Sequence, residues 1–251
     1  ERNNGLISFE DLKNYKAVER LPVEGTYKEY RIVSMPPASS GGVHLIQMLN
    51  MLEEYPVNEM GFGSADSIHI LAEVMKRAYA DRSKHLGDMD FYDVPFSLMS
   101  KKYSKFLNKN ISVNSRTASK DIFPGDPYPY ESPDTTHFSV MDQYGNAVSN
   151  TYTLNFSYGS GIMIPGTGML MNNEMDDFSS KPGVPNGYGL LGSEANSIQA
   201  NKRPLSSMTP TIIFKNNKPY LVLGSPGGSR IITTVLQVAL NVMEHNMNVA
   251  Q

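Results

Sequence analysis

The chain has 251 residues, of which 40% are hydrophobic and 19% are charged, and its formal net charge is −3. A chain of this length can bury a sizeable core, in one large domain or two small ones. The nearly balanced charge, without a run of lysine or arginine, disfavours nucleic acid and anionic membranes as partners, and no apolar run is long enough to span a bilayer. Cysteine is absent, which excludes disulfides, thiolate chemistry and cysteine metal sites. We therefore expect a small-molecule substrate.

The first part of the chain predicts extended segments and two long helices. Residues 8–11 have the pattern of a capping box that opens a short helix, and residues 22–33 predict extended chain with a break at Gly25. Apolar residues dominate 43–54, which predicts a mostly buried helix with a narrow polar stripe. Ser64 then precedes a longer amphipathic helix. Its expected core-facing residues are Ile68, Leu71, Ala72, Met75, Ala78 and Tyr79.

The middle of the chain predicts a long connection followed by a β-hairpin. Residues 87–131 have weak periodicity, and 112–132 are expected to form a mobile, exposed connection. Residues 134–140 and 147–155 are rich in β-branched and aromatic side chains, and the four residues 143–146 between them favour a tight reversal. The connection therefore ends where the first arm of the hairpin begins.

The last part of the chain predicts two loops, a second hairpin and a helix. Residues 182–193 contain several glycines and prolines around Tyr188 and are long enough to act as a lid. Residues 211–223 predict a hairpin, and a glycine-rich turn at 224–229 leads from its second strand into a helix that starts at Arg230. This turn matches neither the phosphate-loop pattern nor the dinucleotide fingerprint, which disfavours nucleotides as ligands.

Without cysteine, a covalent catalyst in this chain would most naturally use a hydroxyl group. A threonine hydroxyl is a poor nucleophile unless a base lies beside it, and its own free α-amine can serve because that amine titrates near neutrality. Thr135 opens the first hairpin, but it could act in this way only as a chain terminus. An Asp-Thr-Thr sequence at the start of a strand is more often an ordinary β edge.

Three further groups could bind parts of a small substrate, although each has a simpler structural explanation. The amides of Gly227-Gly228 could hold an anion, and the hydroxyls of Ser206-Ser207 could donate to a carboxylate. Glu174 and Asp177 could hold an ammonium group, although acidic residues at this spacing usually form a solvated face. The five histidines are scattered without a metal-ligand spacing, and His137 could be a packed residue or a base. A Gly-x-Ser-x-Gly elbow is absent.

Taken together and in order, several segments resemble the γ-glutamyltransferase family, also called γ-glutamyl transpeptidases. The resemblance covers essentially the whole chain. Its segments in the second half are 135–140, 151–155, 173–178, 203–208 and 224–230, and those in the first half are 36–42 and 79–82.

The resemblance implies an α+β fold of the N-terminal nucleophile hydrolase type, a four-layer αββα sandwich with two central antiparallel sheets. It implies self-cleavage between Asp134 and Thr135. Residues 1–134 would then be the C-terminal part of a large subunit, and residues 135–251 the N-terminal part of a small catalytic subunit, in a single structural domain. The chain is expected to be an internal portion of the full protein, and the family's carboxylate-binding arginine would lie before Glu1.

The same resemblance implies roles for particular residues. Thr135 would be the nucleophile, and Thr153 would hydrogen-bond to it. The remaining site residues are Asn155, Glu174 and Asp177 for the substrate's α-amino end, Ser206 and Ser207 for its α-carboxylate, Gly227 and Gly228 for the oxyanion hole, and Tyr188 for the lid. No cofactor and no metal are expected.

The implied activity is cleavage of the γ-glutamyl amide of glutathione and related donors through a threonine ester. Water, amino acids or short peptides would accept the glutamyl group, and the two subunits from one precursor would form a heterodimer, in the periplasm or secreted. One alternative is an amidase for another donor such as polyglutamate. The other is a homologue that cannot process itself and acts as an amino-acid-binding or structural subunit.

Overall fold

The computed structural model describes residues 7–123 and 135–250, except for the side chain of Thr135. Its α-helices are α1 (Phe9–Asn14), α2 (Gly41–Leu52), α3 (Val57–Met60), α4 (Ala65–His85), α5 (Lys101–Asn108) and α6 (Ile231–Met243). Its strands are β1 (Val23–Tyr27), β2 (Tyr30–Ser34), β3 (Thr135–Met141), β4 (Ala147–Thr153), β5 (Thr211–Lys215) and β6 (Lys218–Leu223).

A four-stranded antiparallel sheet in the order β1-β2-β5-β6 joins the two halves of the chain. β2 pairs with β5 from Tyr30 opposite Lys215 to Ser34 opposite Thr211. The predicted break at Gly25 is wrong, because the chain reverses after Tyr27, with Lys28 at a φ of 49°. Gly25 lies inside β1, where a Cβ atom would come within 2.5 Å of Ile46. The glycine therefore allows β1 to approach α2 closely.

β3 and β4 form the predicted hairpin, with Thr135 opposite Thr153 at one end and Met141 opposite Ala147 at the other. The face of the hairpin that carries the serines contacts β5 and β6: Ser139 Oγ donates to the carbonyl of Val222, and Ser149 Oγ donates to that of Leu223. The opposite face is exposed. Its large side chains are Phe138, Val140, Val148 and Tyr152.

Helix α2 is central to the core, since it contacts β1, β2, α4, α5 and α6. Every residue of α2 is buried, including His44, Gln47 and Asn50 of the predicted polar stripe, whereas Glu54 lies beyond the helix and is exposed. These buried polar side chains are partly paired: Gln47 Oε1 lies 2.8 Å from Nδ1 of His44, and Gln47 Nε2 donates to Asp81 over 2.6 Å, whereas His44 Nε2 and Asn50 Oδ1 have no partner among the described residues. Asn50 Nδ2 donates to the carbonyl of Met99. These hydrogen bonds offset the cost of burying polar side chains between helices.

Helix α4 starts where the sequence predicts, with Ser64 accepting a hydrogen bond from the backbone of Ser67. Its buried face is only partly the predicted one. Ile68 is 58% exposed, whereas the buried residues of the helix include Glu73, Arg77, Asp81 and Arg82. Apolar periodicity treats charged residues as solvent-facing, so it cannot identify a buried face that is held together by ion pairs and hydrogen bonds.

The segment after α4 is more ordered than the sequence predicts. A short 3₁₀ helix and α5, capped by Ser100, lie in the region of weak periodicity. The expected mobile connection is described as far as Phe123, and its early part is tied to α4, because the backbone of Thr117 donates to Glu73 over 3.0 Å. The rest of that connection, through residue 132, lies outside the described residues.

One hydrophobic core contains residues from both halves of the chain. It includes Val43, Leu49 and Ile70 from before position 134, and Ile213 and Leu236 from after it. The α+β class is therefore confirmed, with a helical layer, the four-stranded sheet and the hairpin visible in the described residues. The proposed boundary at position 134 does not divide the core.

The ion cluster on α4 yields a stability prediction. Glu73 is 1% exposed and accepts hydrogen bonds from Lys76, Arg77 and the backbone of Thr117. Glu73→Ala would leave the buried Arg77 without its carboxylate, which costs about 3–5 kcal/mol of unfolding free energy. We expect a clear fall in the melting temperature, measured by calorimetry on the protein that contains this chain.

Glu24→Ala is the matched control for this prediction. Its pair with Arg31 is 3.0 Å long but its two side chains are 51% and 43% exposed. Removing a surface ion pair costs about 0–1 kcal/mol. Equal melting temperatures for the two variants would show that the Glu73 cluster does not anchor α4.

Candidate active site

The candidate site begins at the end of the hairpin, where β3 and β4 bring two threonines opposite each other. The backbone of Thr135 starts β3 and pairs with Thr153, the last residue of β4. The Thr153 Oγ1 atom accepts a hydrogen bond from the backbone N–H of Asn155 over 2.9 Å. Asp134 and the side chain of Thr135 lie outside the described residues, so the predicted cleavage site and nucleophile remain predictions.

Asn155 turns the chain away from β4 into the site. Its φ is 74°, a left-handed conformation that asparagine tolerates better than most residues. The residue is 1% exposed; its Nδ2 donates to the carbonyl of Asn173, while its Oδ1 has no partner among the described residues. A buried amide oxygen without a donor is costly unless a ligand supplies one.

A pocket with an empty volume of about 280 Å³ lies beside Asn155. It brings together most of the residues singled out in the sequence. Its lining consists of Thr153, Asn155, Asp177, Tyr188, Leu190, Ser206, Ser207, Met208, Gly228 and Ile231. Glu174 instead lines the wider adjoining cleft, which also reaches Thr153 and Ser206. Gly227 is not in the lining of either cavity.

Glu174 and Asp177 are the two ends of one short 3₁₀ helix, and their carboxyl groups are hydrogen-bonded to each other. Burial raises the pKa of Glu174 to about 6. Burial and the neighbouring charge of Glu174 raise the pKa of Asp177 to about 7, while Arg82 opposes this rise. Two partly buried carboxyls with raised pKa values can be stabilised in their ionised form by a single cationic group. Among the described residues, no three His, Asp or Glu side chains are grouped so as to hold a metal ion.

Ser206-Ser207 are held by a segment that lies far away in the sequence. The backbone N–H of Ser206 donates to the carbonyl of Ala38 over 2.8 Å, and its carbonyl accepts from both the N–H and the Oγ of Ser40. A Cβ atom on Gly41 would lie 2.3 Å from the carbonyl oxygen of Met208. Residues 36–42 thus hold residues 203–208 in place. In the sequence, residues 36–42 are notable only as one of the segments that resemble the family.

Gly227-Gly228 form the turn between β6 and α6. Their φ angles are 130° and 50°, so the turn needs residues that tolerate positive φ. The amides at the start of a helix have no acceptor in the preceding turn and can donate to an anion. Gly228 lines the pocket, and its role as an oxyanion donor stays a prediction.

Tyr188 lies in the predicted lid loop and is buried over the pocket, at 5% exposure. Its ring packs against Phe156 with a centroid distance of 5.3 Å, and its hydroxyl donates to the backbone carbonyl of Asn155. The lid loop is thus docked on the residue that ends the hairpin.

His137 is a packed residue in this structure. Its Nδ1 lies 2.9 Å from Thr151 Oγ1 and its Nε2 lies 3.0 Å from Ser139 Oγ, and its ring faces Gly224, where a Cβ atom would come within 2.2 Å. Burial lowers the pKa of His137. Both ring nitrogens are used within the hairpin, so the structure favours packing over catalysis.

Arg82 and Ser40, for which the sequence predicted no role, are hydrogen-bonded to each other and to residues of the site. Arg82 donates from Nη2 to Ser207 Oγ over 3.1 Å and from Nε to Ser40 Oγ over 2.9 Å. Both residues fall in segments that match the family, 36–42 and 79–82. That match was the only signal in the sequence, because neither residue stands near Ser207 along the chain.

Comparison with known proteins identifies the family of this chain. The family model described as Gamma-glutamyltranspeptidase matches residues 1–251. The glutathione hydrolase proenzyme of Escherichia coli strain K12 is 56% identical over 252 residues, which cover 100% of this chain and 43% of that protein. The Acylase ACY 1 proenzyme of Pseudomonas sp. strain SE83 is 40% identical over 250 residues, covering 99% of this chain and 42% of that protein.

Among solved structures, the cephalosporin acylase from Bacillus halodurans superimposes with a TM-score of 0.78 at 23% identity, covering 98% of this chain and 42% of that chain. This likeness shows a shared fold over nearly the whole chain. The chain spans less than half the length of the curated relatives that it matches. The match over its full length nevertheless shows that the chain belongs to the γ-glutamyltranspeptidase family.

Proposed function

We propose that the protein containing this chain cleaves γ-glutamyl amides such as glutathione, with Thr135 as the nucleophile. One observation carries the proposal: one pocket is lined by Asp177 and by Ser206 and Ser207, of which Ser207 is bound by a buried arginine. Glu174, which is hydrogen-bonded to Asp177, lines the adjoining cleft together with Ser206. An α-amino acid head group carries an ammonium and a carboxylate on one carbon atom. The pocket offers a complementary partner to each.

Recognition of the donor follows from these partners. Glu174 and Asp177 would accept from the α-ammonium group. The Oδ1 of Asn155, which has no partner within the described ranges, would accept a further hydrogen bond from it. Ser206-Ser207 would donate to the α-carboxylate. The γ-carbonyl would then extend towards the end of the hairpin, where Thr135 opens β3.

The reaction would proceed as two acyl transfers. The Oγ of Thr135 attacks the γ-carbonyl carbon while its α-amine takes the hydroxyl proton, and the amides of Gly227-Gly228 stabilise the oxyanion. Collapse of the tetrahedral intermediate breaks the C–N bond, the protonated amine gives its proton to the leaving amine, and a glutamyl ester remains on Thr135. Water, an amino acid or a short peptide then attacks that ester, and the threonine is released.

Maturation would use the same hydroxyl. Attack of Thr135 Oγ1 on the carbonyl carbon of Asp134 would break the peptide C–N bond, free the α-amine of Thr135 and leave an ester between the two residues. Water would then hydrolyse this ester, which gives a part ending at Asp134 and a part starting at Thr135. The two parts would remain associated as a heterodimer, because the hydrophobic core and the four-stranded sheet contain residues from both.

The location of the protein remains a prediction from the resemblance, which implies a periplasmic or secreted enzyme. None of the helices within residues 7–123 and 135–250 combines the length and apolar character needed to cross a membrane.

An acylase or amidase for another donor is the second candidate. It is favoured by the 40% identity to a protein named Acylase ACY 1 proenzyme, which shows that such activity occurs among relatives of this chain. The acidic pair argues against it, because an acyl group without an ammonium would leave Glu174 and Asp177 unmatched. Comparing a γ-glutamyl anilide with a glutaryl anilide, which lacks only the amine, separates the two: preference for the glutaryl compound would favour the acylase.

Replacing the nucleophile tests maturation and catalysis together. Thr135→Ala in the full-length protein should give one uncut polypeptide without turnover, because both reactions use the same oxygen. Intact mass under denaturing conditions is the measurement, and wild type should give two species with a new terminus at Thr135. Thr136→Ala is the matched control: Thr136 is exposed on the outer face of the hairpin, opposite Tyr152, and should mature normally. A cleaved, active Thr135→Ala protein would falsify the mechanism.

The raised pKa values of the acidic pair predict the pH dependence of donor binding. The ammonium group needs ionised carboxyls, and protons bind these carboxyls as the pH falls through about 7 at Asp177 and about 6 at Glu174. The KM for a γ-glutamyl anilide should therefore rise as the pH drops below about 7. Asp177→Asn should raise that KM by at least about tenfold at neutral pH, since it removes a charge-assisted hydrogen bond.

The control for this prediction is the same KM measurement with a donor that lacks the ammonium group. Glutaryl anilide has no ammonium group, so its KM should not rise over the same pH range. Self-cleavage should be intact in Asp177→Asn, because the carboxyl is assigned only to the substrate amine. If the KM rises equally for both donors as the pH falls, the acidic pair does not recognise the ammonium group.

A further inference from the structure

Arg82 is a buried cation that has no ion-pair partner in the part of the chain that the structure describes. It lies near the end of α4 and is 3% exposed, yet it forms no ion pair with a carboxylate of the described residues. Its hydrogen bonds go to two neutral hydroxyls, those of Ser40 and Ser207. The other buried arginine of the helix, Arg77, is paired with Glu73 over 2.7 Å. Burying a charge is costly unless it is paired, so the environment of Arg82 favours an anion nearby.

The hydrogen bonds of Arg82 orient the hydroxyl of Ser207. A guanidinium group can only donate, so Ser207 Oγ must act as the acceptor in this bond. A serine hydroxyl has one proton, and the bond to Arg82 does not use it, so the hydroxyl can donate this proton to another acceptor. Ser207 lines the pocket, so the proton can be donated to a ligand there.

Ser40 holds the guanidinium in this position. Its Oγ accepts from Arg82 Nε and donates to the carbonyl of Ser206 over 2.8 Å. One hydroxyl therefore links the arginine to the backbone of the adjacent serine. Arg82 and Ser40 precede Asp134 in the chain, whereas Ser206-Ser207 follow it.

We propose that Arg82 is a positioning residue for the α-carboxylate of the donor: it holds the Ser207 hydroxyl as a hydrogen-bond donor and places a positive charge behind it. This inference rests on the function proposed above and adds to it. Recognition of the substrate carboxylate would then depend on a contact between the two parts of the cleaved chain.

The charge of Arg82 also reaches the other end of the pocket. The ionisable groups that act on Asp177 are Glu174, Asp176 and Arg82, and those that act on Arg82 are Tyr79 and Asp177. Arg82 lowers the pKa of Asp177, against the effects of burial and of the two acidic neighbours. Loss of this charge should raise the pKa of Asp177 further, whereas a lysine should keep much of the effect.

The test uses the full-length protein and two anilides, γ-glutamyl and 4-aminobutyryl, which differ only in the α-carboxylate. Arg82→Lys keeps the charge but loses the planar fork, so it should lower kcat/KM for the γ-glutamyl compound by about 10- to 100-fold. For the 4-aminobutyryl compound the change should stay within about threefold, because that donor never uses the Ser207 hydroxyl. Arg82→Gln should in addition shift the rise of KM at low pH to higher pH values, because the pKa of Asp177 increases when the positive charge is lost. A purely structural defect would not cause this shift.

Arg77→Lys is the matched control. Arg77 is 5% exposed on the same helix, but it bonds to Glu73 and to the carbonyl of Asn110 rather than to the pocket. It should lower the melting temperature without changing the ratio of kcat/KM for the two anilides. Ser40→Ala removes one anchor of Arg82 and should reproduce part of the selective loss, which provides a second variant if Arg82→Gln does not fold.

The outcomes separate the two proposals. If wild type cleaves the γ-glutamyl anilide and Arg82→Lys changes neither donor, or both equally, the role of Arg82 is wrong while the proposed function stands. If matured wild type does not cleave the γ-glutamyl anilide, the proposed function is wrong and the role of Arg82 falls with it. A selective loss for the γ-glutamyl anilide in Arg82→Lys and Ser40→Ala, but not in Arg77→Lys, supports the assignment.

Discussion

The candidate site depends on one contact between distant segments, the docking of residues 36–42 against residues 203–208. Backbone hydrogen bonds join Ser206 to Ala38 and to Ser40, and Gly41 allows the backbone of Met208 to approach. This contact fixes where the two serine hydroxyls lie relative to the end of the hairpin. It contains no covalent link, so a break at position 134 would leave it in place. The same holds for the core, which residues from both halves fill.

The charged groups of the pocket favour a ligand that carries both a positive and a negative charge. Two carboxyls with raised pKa values face each other on one side, and an arginine without an ion pair among the described residues lies behind the other. Each group costs stability while it has no counter-ion. A zwitterionic head group would supply both counter-ions at once.

Much of the local structure could be predicted from the sequence, because it follows from neighbouring residues. Alternating β-branched residues and short turns predict the β3-β4 and β5-β6 hairpins. Apolar spacing that follows a serine or glycine predicts α2, α4 and α6. The buried charges of α4 could not be predicted in this way. The partner of Arg82 lies 125 positions away, and only the tertiary fold makes burial of that charge tolerable. The reversal after Tyr27 was misplaced for a similar reason, since Gly25 serves the packing of α2 rather than a turn.

The position of Arg82 behind a hydroxyl, rather than in the pocket itself, has a physical rationale. Arg82 and Asp177 attract each other, as their opposing effects on pKa show. An arginine that reached into the pocket could pair directly with Asp177, and both recognition groups would then be occupied before a donor arrived. With the guanidinium held by Ser40 and Ser207, the charge acts at a distance while the hydroxyl makes the contact. The acidic pair and the serines can therefore remain open to opposite ends of the same ligand.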